Sequence, residues 1–126
     1  MVTPALRRAP EVVRLEPGTV TVRLVVDPAE PCFAGHYPDF PILPGVMLVD
    51  TVQRAVERFA AAAGHEIRLT EIRSMRFAGP VFPGDTVDVD CAVVVAGRTL
   101  TAKATCRTAR GRAAGITLRY ALSAQG

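Results

Sequence analysis

With 126 residues, 49% of them hydrophobic, the chain is sized for one domain whose core buries about two thirds of the unfolded surface. The net charge of +3 and pI near 9.1 are mild, and with few aromatics and no basic block they weigh against a nucleic-acid binder. Three cysteines, Cys32, Cys91 and Cys106, form no CxxC pair and leave an odd number, which argues against a disulfide framework or a zinc site and fits a cytoplasmic protein.

The expected elements follow in chain order. Residues 1–10 show no period and read as a frayed terminus, and the first thirty residues lack the apolar core of a signal peptide. Alternation over Glu11 to Leu15 and Thr19 to Asp27, around Pro17-Gly18, predicts a hairpin with Val20, Val22, Leu24 and Val26 on its dry face. A loop follows in which Pro38, Pro41 and Pro44 fix φ and keep the preceding residues out of helix, so it is stiff. Pro44-Gly45 opens a helix that Gly64 stops. Its apolar stripe is Leu48, Val49, Val52, Ala55, Val56, Phe59, Ala60 and Ala63. Asp50, Gln53, Arg54 and Glu57 point away, and Val46 and Met47 beside Asp50 suggest that something else, such as a second subunit, covers the first turns.

From Ile67 onward the period is two. Ile67 to Phe77 is a strand with a slip around Ile72, and Pro80 to Asp85 is a turn. Three further strands follow, Asp85–Ala96, Thr99–Thr108 and one ending at Leu122. They carry Val87, Val89, Cys91, Val93 and Val95, then Leu100, Ala102, Ala104 and Cys106, then Ala114, Ile116, Leu118 and Tyr120 inward. That is an antiparallel meander with one wet and one dry face, and one helix is available to cover the dry one. The fold class is α+β, over a single domain spanning 1–126.

The chemistry concentrates in the stiff loop and the helix start. His36, with an ordinary pKa of about 6.5, is able to accept a proton near neutrality; a structural loop histidine is the plainer alternative. Asp50 follows fourteen positions later, one and a half turns into the helix, either as a working acid or as a solvated one favoured by the helix dipole. Gly45 has an N–H in the first turn with no intrahelical acceptor, a donor for a carbonyl gaining charge, though a glycine there also permits close packing. Base, acid and oxyanion donor together make up the inventory for abstracting a proton α to a carbonyl.

The run Phe33-Ala-Gly-His36-Tyr-Pro-Asp-Phe-Pro-Ile-Leu-Pro-Gly45-Val-Met-Leu-Val-Asp50 resembles the active-site signature of the β-hydroxyacyl-acyl-carrier-protein dehydratases. Arg76-Phe77-Ala-Gly-Pro-Val-Phe-Pro83-Gly84-Asp85 resembles that family's strand-turn segment. The resemblance covers about Val12 to Leu122 and implies a hot-dog fold, an antiparallel sheet wrapped around one long helix. It implies that His36 removes the C2 proton of a 3-hydroxyacyl thioester, that the Gly45 N–H polarises the carbonyl, and that Asp50 orients and helps protonate the departing hydroxyl. It further implies a homodimer in which histidine and acid come from different subunits, with the acyl chain in a tunnel at their interface. Val46, Met47, Tyr37 and Phe77 would then contact substrate. No metal or cofactor is implied beyond the phosphopantetheine of an acyl carrier protein or coenzyme A that carries the substrate. Asp50 stands where many members carry Glu, and Tyr37 where Phe is common.

Two alternatives remain at this level: a hot-dog thioesterase, in which an acid activates water, and a silent acyl-binding subunit that pairs with a catalytic homologue. Cys32, near His36, has no orienting group that would make it a nucleophile. His65 reads as a surface residue at the helix end. The arginine bias makes Arg73, Arg76, Arg98 and Arg110 candidates to border an entrance and bind a phosphate.

Overall fold

The computed structural model describes residues 9–30 and 42–123. Strands β1 (Glu11–Glu16) and β2 (Thr19–Val25) form the expected hairpin, and helix α1 runs from Gly45 to Ala63. Strands β3 (Ile67–Phe77), β4 (Thr86–Ala96), β5 (Thr99–Thr108) and β6 (Gly111–Leu122) follow. All six make one sheet in the order β1-β2-β4-β5-β6-β3, with every neighbouring pair antiparallel. The meander β4-β5-β6 is as its parity requires. The chain enters α1 from β2, near one edge of the sheet, and leaves it into β3 at the opposite edge.

The inward side chains of β2, β4, β5 and β6 meet the helix stripe in a single core. Val52 and Val56 are wholly shielded, and a fully buried side chain of this kind contributes about 1.5–3 kcal/mol. Gly64 ends the helix in the left-handed region at φ 76°. That conformation lets the Gly64 N–H reach the Ala61 carbonyl and the His65 N–H reach that of Ala60, satisfying two carbonyls the helix would otherwise leave open. His65 is half-buried there.

Three details depart from the alternation reading. Met47, expected on the wet side, is only 5% exposed and belongs to the core, so its cover comes from within this chain. Ala63 is exposed at the last helical position. Val95 lies on the inner face but stays 41% exposed, because it sits beside Ala62 and Ala63, where the helix ends and its cover runs out. Thr51, a polar residue in the buried face, donates its hydroxyl to the Met47 carbonyl at 2.8 Å.

The pairing of β3 with β6 shifts register between Leu69 and Glu71 and again between Ile72 and Ser74, which places the expected slip. As an edge strand β3 leaves Ile72, Met75 and Phe77 at 45%, 48% and 52% exposure. A long apolar edge is a site for pairing with another chain unless it is covered.

Candidate functional site

Pro44 caps the helix in extended geometry, with no side chain bonded to the first turn and no acid within it. Among the described residues, then, no capping side chain and no first-turn acid offsets the positive end of the helix dipole, and the first N–H groups have no intrahelical acceptor. Gly45 opens onto an apolar cleft of about 400 Å³. Its walls are Ile42, Leu43 and Leu48 on the helix side and Phe77, Ala78, Gly79, Pro80 and Val81 on the other.

Phe77, the last residue of β3, lies directly over Gly45: a Cβ there would come within 2.7 Å of the ring. The close-packing reading of Gly45 is thus realised, and Gly45 stays half-buried in the lining of the cleft. The segment ahead of the helix hangs on the turn after β3, because the Leu43 N–H donates to the Val81 carbonyl at 2.7 Å. That turn also holds the end of β2: Val26 donates to Asp85 at 2.8 Å and accepts from Gly84 at 2.7 Å.

Asp50 is not in this cleft. Five residues on from Gly45, it lies about 140° round the helix and about 7.5 Å along it. Its side chain is 24% exposed, and Oδ2 sits 3.1 Å from the Arg54 Nε. Oδ2 is closed to solvent and has no hydrogen bond of good geometry, so the contact is an ion pair set off the donor line. Arg54 in turn borders a second, smaller cleft with Pro10, Val12, Val22, Glu57 and Arg58. Sequence reading placed Arg54 among the solvated residues; the i,i+4 spacing from Asp50 was the signal for the pair.

Of the site residues expected from sequence, Gly45 and Phe77 meet at the cleft, while Asp50 stands apart on the same helix. Val46 is 53% exposed, whereas Met47 is in the core. His36 and Tyr37, and Cys32 with them, lie outside the described residues.

The arginines divide. Arg76 is on β3 next to Phe77, opposite Gly115. Arg98 does not border the cleft: its carbonyl accepts from Leu122, and Leu122 pairs with Ile67 at the far end of β3 from Phe77. Arg110 is committed to the protein rather than left for a phosphate. Its guanidinium pairs with the Asp85 carboxylate and stacks over Phe82, 4.7 Å from the ring centre. The hydrogen bond from Arg110 is the main force holding the Asp85 carboxyl below the ordinary range, burial opposing it and the Phe82 N–H helping.

The described thiols carry no chemistry. Cys91 and Cys106 are free and buried, and burial pushes both up to about 12, so at neutral pH they stay protonated. Among the described residues, no cluster of His, Cys, Asp and Glu could hold a metal ion. No described helix is long and apolar enough to cross a membrane.

Comparison with known proteins gives this geometry a context. A family model described as ApeI dehydratase, of the ApeI-like family, matches residues 12–114. The 3-hydroxyacyl-[acyl-carrier-protein] dehydratase FabZ of Haemophilus influenzae is 36% identical over 91 residues, covering 68% of this chain and 61% of the relative. The chain thus spans about three fifths of the length of that relative. Among solved structures, a hypothetical thioesterase protein of Streptococcus pneumoniae TIGR4 with coenzyme A superposes with a TM-score of 0.77 at 14% identity, covering 92% of this chain and 87% of that one. The dehydratase heterocomplex ApeI:P from Xenorhabdus doucetiae gives a TM-score of 0.66 at 23% identity, covering 90% and 99%. These likenesses establish the hot-dog fold.

Proposed function

Because the chain belongs to the ApeI-like dehydratase family, we propose that it dehydrates 3-hydroxyacyl thioesters, carried on an acyl carrier protein or coenzyme A, to trans-2-enoyl thioesters. The observation that carries this reading is the helix start. It has no capping side chain and no acid in its first turn, and it faces an apolar cleft. A thioester carbonyl placed against the Gly45 N–H gains a donor where negative charge develops as C2 loses its proton. His36 is the base that takes that proton, and the C3–O bond then breaks. The hydroxyl leaves as water, taking up one proton for the one removed, so the count closes without a redox cofactor. Paired with Arg54, Asp50 presents an acceptor to that hydroxyl, which suits the orienting part of its role.

The active unit is a homodimer in the cytosol. Asp50 and Gly45 lie on different sides of one helix, so an acid reaching this cleft comes from a second copy. The exposed apolar edge of β3 supports such an association.

The test is turnover of 3-hydroxyacyl thioesters by purified protein, read as enoyl formation. His36→Ala and Asp50→Asn are each expected to remove it while the fold survives. Mixing the two dead variants should restore up to about a quarter of the activity, since half of the exchanged dimers carry one intact site. Release of free thiol in place of enoyl product would identify a thioesterase instead, and turnover by His36→Ala would end the assignment.

A further inference from the structure

We propose that Arg110, on the turn between β5 and β6, is a positioning residue for the cleft: it clasps the Pro80–Asp85 turn on which the segment leading into the helix hangs. The proposal rests on the dehydratase reading for its kinetic consequence and on the hydrogen bonds alone for its structural one.

Arg110 reaches the turn at three points. Nη1 donates to Asp85 Oδ1 at 3.2 Å, Nη2 donates to the Pro80 carbonyl at 3.3 Å, and Nη2 also pairs with Asp85 Oδ2. The guanidinium plane lies over Phe82, so charge, fork and stacking are used together, as arginine allows and lysine does not. Inside the turn, Asp85 Oδ2 accepts the Phe82 N–H at 2.7 Å and the Asp85 N–H donates to the Phe82 carbonyl at 3.0 Å. Pro80 and Val81 therefore sit between two fixed points. Both residues line the cleft, and the Val81 carbonyl takes the Leu43 N–H, two residues ahead of Gly45. A displacement of Pro80 moves one cleft wall directly and the approach to the helix start through Leu43.

An exposed ion pair by itself adds little to stability, so the distinguishing signal is local, at Leu43. Amide exchange and steady-state kinetics of Arg110→Met and Arg110→Lys, each against the unaltered protein, supply it. In Arg110→Met the Leu43 amide is expected to exchange about ten-fold faster or more, while amides of the β4-β5 pair keep their protection. Turnover should fall by about ten-fold in kcat with KM changed less than about three-fold, because the carbonyl is misplaced rather than unbound. Arg110→Lys keeps a charge for Asp85 but cannot serve the Pro80 carbonyl at the same time, so it should fall between. It carries the comparison should Arg110→Met not fold. Leu43 protection that is unchanged, or lost only together with the whole sheet, overturns the proposal. If the unaltered protein turns over no hydroxyacyl thioester, the functional reading fails and the exchange result still decides the clasp.

Discussion

Gly45→Ala separates the two uses of the helix start. The added Cβ would lie 2.7 and 2.8 Å from two atoms of the Phe77 ring and 3.2 Å from a third, against about 3.5–4.0 Å for carbons in good contact. The ring must give way by about 1 Å, and at 52% exposure it is free to turn outward. Full burial of a phenylalanine is worth about 1.5–3 kcal/mol, so losing the shielded half costs about 1 kcal/mol. Replacing glycine in a helix returns up to about 1 kcal/mol. The two nearly cancel, and the melting temperature should move by no more than about 5 °C.

Activity should not be spared. The methyl group occupies the approach to the Gly45 amide and displaces one wall of the cleft, and kcat/KM for enoyl formation should fall about 100-fold. A cycle with Phe77→Leu checks the cause: if ring and methyl compete for one space, Gly45→Ala costs less in the Phe77→Leu background. Near-normal turnover by Gly45→Ala would refute the crowding argument, since the added methyl would then have left both the approach to the amide and the cleft wall as they were.

Arg54→Met removes the ion partner of Asp50; stability should change by only about 0.5 kcal/mol, whereas kcat drops about ten-fold because the carboxylate is no longer held, as steady-state assays can show. Met75→Glu with Ile72→Glu puts charge on the exposed edge of β3 and should halve the mass seen by light scattering; a dimer that survives removes β3 from the interface. Asp85 titrates lower in the fold than in the unfolded chain, because Arg110 bonds to its charged form. Its contribution is thus fully present above the unfolded value of about 3.9 and is lost as pH falls through the folded one. Urea midpoints of the native protein and of Asp85→Asn should accordingly converge below about pH 4. Cys91 and Cys106, pushed up to about 12 by burial, should resist a thiol reagent at pH 8 in a Cys32→Ser protein and react once it is unfolded.

Most of the secondary structure is written in local pattern. Period-two runs specify the dry faces of β2, β4, β5 and β6, because a strand turns successive side chains to opposite sides and burial then sorts them. Pro44-Gly45 and Gly64 mark the helix ends for backbone reasons that need no neighbour. The candidate chemistry was legible in the same way only as an inventory. Gly45 could be assigned to the first helical turn, yet nothing in the spacing announced that Phe77 lies over it, thirty-two positions further on. Asp50 could be placed on a helix, with Arg54 one turn on at i,i+4; that it stands apart from the cleft emerged only once Phe77 and the residues after it had closed that cleft against Gly45.

Local alternation decides which face of a strand is apolar, and by itself it is blind to which strand lies beside which. Short turns already make neighbours of β1 and β2 and of β4, β5 and β6, but that β2 lies beside β4 and β3 beside β6 had to come from packing around one helix. The same packing drew Met47 inward from its expected place off the stripe and left Val95 uncovered where the helix stops. It also brought Arg110 onto Asp85 across 25 residues. Pairings that close such loops depend on the whole chain being in place, since the entropy of closure is repaid only by the assembled core.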